Sequence, residues 1–356
     1  MTQKKVAVAM SGGVDSSVTA ALLKKQGYQV QGVFMTLAQP DIEAQVARVR
    51  AMADRLEVEL TVIDLHQEFS DLVLDYFRDS YFRGLTPNPC VVCNRHIKFG
   101  LFMDKALAGG AEFLATGHYV RLYRSDGGLY HLLKGNDPAK DQSYFLCQLQ
   151  QQQLAKARFP LGEYRKDEVY ELAGELGLEF NRSEESQDVC FLQDQTVGDF
   201  LAESGAIADD AGVVVTVAGR QVGQHRGIHR YTVGQRRGLG IPDATPWYVV
   251  GLEAAGNRVV VGKQQDLFRS RLHVAEPNWL AGYGPELPAE LEVRIRYRHQ
   301  PVVAQVVQGQ QGGLDVLFAE PQRAISPGQF AAFYRKEELL GGGPISNSGI
   351  EVRMRG

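Results

Sequence analysis

The stretch Ser11-Gly12-Gly13-Val14-Asp15-Ser16-Ser17 follows an apolar run, Val6–Met10, and precedes a helical pattern, Val18–Leu23. A strand that feeds a Gly-Ser turn and then a helix makes an anion site. Its glycines let the backbone approach a phosphate, and the helix N-terminus supplies free N–H groups and the positive end of a dipole. The turn has no Gly-Lys-Ser/Thr, so it is not a Walker loop, and no GxGxxG, so it is not a dinucleotide fingerprint. The flanking strand and helix also argue against an incidental turn.

The organisation around this loop is α/β followed by β. Residues 29–35 and 60–65 and the short run 113–116 have strand character, while 42–56, 69–81 and 97–107 carry apolar residues at helical spacing. That βαβα rhythm predicts a doubly wound parallel sheet over residues 1–200, with ligands beyond the carboxyl ends of its strands. Ser11–Ser17, Met35 and Gly117-His118-Tyr119 then surround one crevice. Beyond it, β-rich runs at 213–217, 248–252, 258–261, 291–297, 302–307 and 330–334 predict a small central β-rich domain (201–268) and a C-terminal β-barrel (269–356). The run Gln150–Gln153 is too short to count as low complexity.

The 356 residues are 44% hydrophobic and 22% charged, as expected of a globular chain of two or three domains. Met1–Lys5 runs straight into the first strand without a signal-peptide core, and no apolar run nears the about 20 residues of a membrane span, so the expected location is the cytoplasm. Four cysteines suit free thiols, catalytic groups or metal ligands better than disulfides. A net charge of −4 argues against an indiscriminate nucleic-acid binder but leaves room for a local basic surface.

Thr86-Pro87-Asn88-Pro89-Cys90-Val91-Val92-Cys93-Asn94-Arg95 carries a CxxC on what its prolines predict to be a stiff loop. Alone, this pattern reads as half a metal site, a redox pair or catalytic thiols. Cys147, in Ser143–Cys147, has the setting of a buried structural cysteine, and Cys190, at a polar-to-apolar junction, that of a partly exposed thiol.

SGGVDS resembles the PP-loop of the ATP pyrophosphatases, which fold as adenine nucleotide alpha hydrolase-like domains. Together with GVFM (32–35), TPNPCVVCNRHIKF (86–99), ATGHYVR (115–121), KDQSYFL (140–146), FPLGEYRK (159–166), SQDVCF (186–191), GQHRGIHRYTVGQRRGLGI (223–241), WYVV (247–250), RIRYRHQ (294–300) and SPGQFAAFY (326–334), the chain resembles the bacterial tRNA-specific 2-thiouridylases over nearly its whole length. Two features depart from that family. Many members carry Asp at the position of Cys90, so Cys93 alone matches the catalytic cysteine. The segment 36–42 is short and lacks a Trp- and acid-rich insertion.

The resemblance implies replacement of the 2-oxygen of the wobble uridine (position 34) in tRNAs for Lys, Glu and Gln by sulfur, with release of AMP and pyrophosphate. It implies ATP held by Ala9, Met10, Ser11, Gly12, Gly13, Val14, Asp15, Ser16, Met35 and Gly117, with Asp15 orienting Mg²⁺; the other role open to Asp15 is to cap the following helix. It implies Cys190 as persulfide carrier, loaded by a cysteine desulfurase or relay protein, and Cys93 as nucleophile. Both thiols then need pKa values below the about 8.5 of a free cysteine, with Arg95, His96 and phosphate-bound Mg²⁺ as candidate fields. It also implies tRNA contacts from His118, Lys140, Asp141, Gln142, Tyr297, Arg298 and Gln329. The residues themselves add an acid-free stretch, 211–242, holding Arg220, Arg226, Arg230, Arg236 and Arg237. They add a period-two row as well, Arg294/Arg296/Arg298, predicted to share one strand face.

Three alternatives remain open on sequence. One is a small-molecule ATP pyrophosphatase, which lacks here a second catalytic domain. Another is thiolation with Cys90, Cys93 and Cys190 as ligands of an iron–sulfur cluster. The third is a tRNA-binding scaffold with a silenced site.

Overall fold

Alternating burial builds the first sheet. In β1 (Lys5–Ala9), Val6 and Val8 enter one apolar cluster and Ala7 the opposite one. The structure, a computed structural model, describes residues 3–39, 41–180, 182, 189–192, 195–203 and 210–347. β1 pairs in parallel with β2 (Gln29–Thr36) and β4 (Phe113–Ala115), and β2 with β3 (Glu59–Asp64). β5 (Val120–Arg124) and β6 (Tyr130–Lys134) leave this sheet as a hairpin, and β7 (Ala157–Arg158) returns to its edge beside β4. The order β3-β2-β1-β4-β7 reverses direction at β1, so the loops after β1 and β4 open on the switch point where doubly wound sheets take ligands. The helices α1 (Val14–Lys25) and α2 (Ile42–Arg55) cover one face through Ala20, Leu23, Val49 and Ala53. The opposite face is covered by helical stretches that contribute Phe69, Val73, Phe77, Ile97 and Phe102.

The central unit is a four-stranded sheet ordered β10 (Tyr248–Glu253), β11 (Arg258–Gly262), β8 (Gly212–Thr216), β9 (Gln221–His225). The third sheet runs β12 (Phe268–Val274), β16 (Leu314–Arg323), β15 (Val302–Gln308), β14 (Ala289–Arg294), β17 (Phe330–Arg335), β18 (Glu338–Pro344), β6, β5, with β13 (Asn278–Trp279) on β18. A bridge between Val274, in β12, and Ile345, just after β18, closes the strands from β12 to β18 into a barrel, with β6 and β5 extending beyond it.

The sequence gives no warning that β5 and β6 join this barrel sheet. Leu132 and Leu133 of β6 pair with Leu339 and Glu338, so the first domain lends a hairpin to the last. β17 shows why the two parts fit. Ala331 and Phe333 face the barrel interior, while Phe330, Ala332 and Tyr334 enter the core of the first domain. A strand buried on both faces needs a continuous apolar run, and FAAFY supplies it.

Two expectations need correction. The helix expected at 97–107 begins earlier, at Pro89–Val92, and continues through Cys93–Phe102 and Met103–Ala108, so the CxxC lies on a helix and not a loop. Pro89 stands at the first helical position and the Asn88 carboxamide oxygen accepts from the Val91 amide at 3.3 Å, which starts the helix. The strand expected over 291–297 ends at Arg294, so Arg294, Arg296 and Arg298 do not form one strand row. The run Gln150–Gln153 ties neighbouring elements together. Gln151 bonds Tyr130 and Leu280, and Gln153 donates to the Arg95 and Phe99 carbonyls at 2.7 and 2.9 Å.

Candidate active site

The loop after β1 is folded by its own serines. Ser16 Oγ donates to the Gly13 carbonyl at 3.1 Å and accepts from the Ser11 amide at 3.1 Å, and Ser17 Oγ donates to Gly13 at 2.9 Å. Gly12 takes φ +76°, and a Cβ there would stand 3.2 Å from Arg48 Cγ on α2, so glycine is required. Gly13 precedes the first helical residue, Val14, and the first N–H groups of α1 have no acceptor within the helix. Ala9 ends β1 and Met10 follows it, Met35 lies near the end of β2, and Gly117 follows β4, all at the carboxyl edge of the sheet.

Asp15 neither caps α1 nor offers a free carboxylate. Its oxygens accept from Lys166 Nζ at 2.8 and 2.9 Å and from the Tyr119 hydroxyl at 2.7 Å. Lys166 is buried to 10% side-chain exposure and Asp15 keeps 34%. A Cβ on Gly117 would meet Asp15 Cβ at 2.9 Å, so the β4 turn closes directly on the loop. Lys166 lies inside the FPLGEYRK segment, but nothing in its spacing signalled that it would meet Asp15 across 151 residues.

His118, in the same turn, is buried. Its Nδ1 is 2.8 Å from Thr116 Oγ1, its ring packs on Phe99 and Phe159, and burial with help from Lys98 pushes its pKa well down, leaving a neutral imidazole. Gln142 holds the Tyr119 amide at 3.0 Å.

The CxxC helix is wound wide from Cys93 to Phe102 and broken at Gly100, where φ −103° and ψ −110° leave the helical region. Wide turns free carbonyls, and the Gln153 carboxamide takes those of Arg95 and Phe99. Cys90 and Cys93, three residues apart, lie on one side, and in a turn of this width Lys98 follows Cys93 on the same face. Desolvation pushes the Cys93 thiol up to about 12 and the Cys90 thiol up to about 11. Cys190 is also pushed up by desolvation, although it remains exposed to solvent and its environment is correspondingly less closed.

The expectation of thiols acidified below the free-cysteine value is not met, because loss of solvent outweighs the favourable charge. That charge is Lys98, which draws Cys90, Cys93 and Cys190 down together and forms no ion pair or hydrogen bond among the described residues. Arg95 and His96 were the wrong candidates. Arg95 bonds the Gln148 carboxamide and faces Cys147, and His96 is exposed.

Cys190 also bears electrostatically on Cys90 and Cys93, so the structure gathers the three thiols into one neighbourhood. Ser186–Asp188, beside Cys190, lie outside the described residues. Phe191 follows it into a nest of Phe69, Phe77 and Phe200, with ring centroids 5.9, 5.2 and 5.2 Å away. Among the described residues no set of three His, Cys, Asp or Glu side chains is placed to hold a metal ion. Cys147 is fully buried, as its sequence setting predicts.

The residues expected to meet tRNA divide into inner and outer groups. The Asp141 carboxylate is spent on the Gly135 and Ser143 amides, the Ser143 hydroxyl and Arg294 Nη1 at 2.9 Å. Arg294, expected on an open face, is thus an internal tie between the first domain and the barrel, and Arg296 donates to the Arg323 carbonyl. Arg298 is exposed and Lys140 half-buried, and both bear electrostatically on Tyr297. Tyr297 packs its ring on Phe145 at 4.5 Å. Gln329 reaches the Thr86 and Pro87 carbonyls. In the acid-free stretch, Arg230 pairs back to Asp199 at 3.2 Å, while Arg236 lines a cavity of about 460 Å³ with Leu239, Ile241 and Trp247.

Comparison with known proteins follows this geometry. Residues 4–194 match the family described as tRNA methyl transferase HUP domain, 198–263 its PRC-barrel domain, and 269–345 the aminomethyltransferase beta-barrel domain. The chain is 46% identical over 345 residues to the tRNA-specific 2-thiouridylase MnmA of Desulfotalea psychrophila, covering 97% of this chain and 100% of that one. It is 44% identical over 357 residues to the protein of the same name from Geobacter metallireducens, covering 96% and 97%. A solved 4-thiouridine synthetase–RNA complex with bound ATP aligns at 20% identity and a TM-score of 0.33, over 49% of this chain and 41% of that one.

Proposed function

The chain belongs to the tRNA-specific 2-thiouridylase family, and from that premise we propose that it replaces the 2-oxygen of a tRNA wobble uridine with sulfur, using ATP to activate the oxygen and a cysteine persulfide to carry the sulfur. The observation that carries this reading is that one chain holds both a phosphate loop at the sheet's switch point and three thiols that share the field of Lys98. The matched family's description names methyl transfer, whereas the curated relatives are named for thiolation; the thiols favour sulfur.

A uracil carbonyl is a poor electrophile and oxide a poor leaving group. Adenylation of the oxygen at the α-phosphate makes AMP the leaving group, and the backbone N–H groups of Ser11–Ser16 bind the phosphates. Asp15, the loop's one carboxylate, is taken by Lys166 and Tyr119 and does not fit as a ready Mg²⁺ ligand, so we route no step through that ion. Its role becomes holding Lys166 beside the loop, where the ammonium can face phosphate oxygens. The working location is the cytoplasm, with the tRNA.

For sulfur, the Cys190 thiolate accepts the outer sulfur of a donor protein's persulfide, and the donor leaves as thiolate. Cys93 then attacks the inner sulfur of the Cys190 persulfide. The S–S bond breaks, sulfide departs to the activated carbon, AMP leaves, and a Cys93–Cys190 disulfide remains for a thiol reductant to open. At rest Cys93 is a protonated thiol, so this step follows a rearrangement that admits solvent or moves Cys190. The Phe191 plug sets the scale of that motion, since burial of one phenylalanine side chain is worth about 1.5–3 kcal/mol.

The test is single turnover with unmodified tRNA, ATP, a cysteine desulfurase and cysteine. The expected result is one AMP and one pyrophosphate per 2-thiouridine, with Cys190→Ser unable to load sulfur and Cys93→Ser able to load but not deliver. ADP and orthophosphate as products overturn the activation step. Iron and labile sulfide in anaerobically purified protein, both lost with activity in Cys90→Ser, overturn the relay.

A further inference from the structure

We propose that the barrel turn Ser326–Gln329 is the seat of the helix bearing Cys93, and that Gln329 is a positioning residue for that thiol. The segment entering the helix, Thr86–Pro89, holds two prolines and so lacks two of the N–H groups that would normally tie it down. The barrel supplies what is missing. Gln329 Nε2 donates to the Thr86 carbonyl at 3.0 Å and the Pro87 carbonyl at 3.2 Å, and the Thr86 amide donates to the Pro327 carbonyl at 2.8 Å. Gly328, at φ +90°, closes the contact, because a Cβ there would stand 2.9 Å from Leu85 Cβ and from the Thr86 nitrogen.

The barrel side of the seat is itself fixed. The Gly328 amide donates to the Ile345 carbonyl at 2.9 Å and the Ile345 amide to the Gln329 carbonyl at 2.7 Å. Two carbonyl acceptors also fix the orientation of the carboxamide. Both N–H bonds of Gln329 point at the catalytic segment, and only its oxygen remains for RNA. One step after Pro87, Asn88 caps the helix and Cys90 and Cys93 follow, so displacement of Thr86–Pro87 moves the start of that helix.

The functional weight of this seat rests on the reading of Cys93 as nucleophile, but its test does not. In the full-length protein, Gln329→Glu puts a carboxylate against two carbonyls, and Gln329→Ala removes the donor without adding charge should the first variant fail to fold. Iodoacetamide labelling without tRNA, read by peptide mass spectrometry, should quicken at Cys93 by about fivefold as the helix start opens, with Cys190 within about twofold. Thiolation kcat should fall about tenfold with KM for tRNA within about twofold, the signature of lost positioning as opposed to lost binding. Unchanged Cys93 labelling overturns the proposal, whether or not tRNA affinity drops; a drop would make Gln329 an RNA contact alone. If Cys93→Ser retained full thiolation, the relay would fail while the labelling result still decided the seat.

Discussion

Asp15 is held by Lys166 and Tyr119, whereas Lys98 acts on three thiols and has no ion-pair partner among the described residues. The phosphate half of the site is preorganised: its loop is tied by Ser11, Ser16 and Ser17, its glycine is fixed by α2, and its charges are matched. In the thiol half desolvation holds the thiols protonated, and Lys98 is the charge that acts against this at all three. Electrostatic catalysis gains from groups fixed in advance, while a persulfide carrier must receive sulfur from one partner and pass it to another, which a rigid, sealed thiol cannot do. The difference separates an activation site that waits finished from a transfer site completed only during turnover.

The sharpest break in that comparison is removal of a thiol. Cys93→Ser should lower 2-thiouridine formation by at least about a thousandfold, in line with loss of an essential nucleophile, while ATP affinity stays within about twofold. A matching loss of ATP affinity would show that the halves are one unit. Next comes the ion pair. Asp15→Ala should cut tRNA-dependent pyrophosphate release by about a hundredfold. Lys166→Met should do the same and also lower stability by about 1–2 kcal/mol, a figure discounted because Asp15 retains solvent contact. A double-mutant cycle giving no coupling between the two would disprove preorganisation through this pair.

Lys98 tests the other half. A cation favours thiolate, so Lys98→Met should move the Cys190 pKa further up and slow its labelling at pH 8 by about three- to tenfold, with Lys98→Arg restoring it. Unchanged labelling would leave the thiols without an identified field. The same shifts have a stability consequence. Thiols at about 12 and about 11 in the folded chain lie above their unfolded value, so their stabilising contribution is complete below about pH 8.5 and is lost as pH rises towards the folded values. Thermal unfolding above pH 9 should fall less steeply in a Cys90→Ser/Cys93→Ser double variant.

How much of this was legible in sequence follows from the range of the interactions. The loop, the parallel sheet and the setting of Cys147 are local patterns, set by period-two and period-3.6 burial, and they emerge from the residues themselves. The Lys166–Asp15 pair, the Gln329 seat and the β5–β6 hairpin in the barrel join residues more than a hundred positions apart, and no spacing rule reaches them. The arginine row failed for a different reason. Alternation predicts a shared face only while the strand lasts, and Asp141 draws Arg294 inward just where β14 ends. Lys98 is not among the charges the sequence suggests for the thiols, because only a wide helical turn brings the fifth residue onto the face of the first. Arg298, the exposed survivor of that row, should on reversal to Glu weaken tRNA binding about three- to tenfold and flatten its salt dependence by about one phosphate contact.

The smallest effect should come from the fourth thiol, which makes it the control for all the others. Cys147 is pushed up to about 12 by desolvation, just as Cys93 is, yet it is fully buried, beyond the influence of Lys98, and packed against Gly342, where an added Cβ would stand 3.0 Å from its sulfur. Its neighbourhood admits nothing larger than sulfur and no substrate. Cys147→Ser should therefore cost about 1–3 kcal/mol for the newly buried hydroxyl and leave 2-thiouridine formed per folded molecule unchanged within about twofold. A loss of turnover there comparable to that of Cys93→Ser would mean that burial, and not placement beside Lys98 and Cys190, decides which thiol handles sulfur.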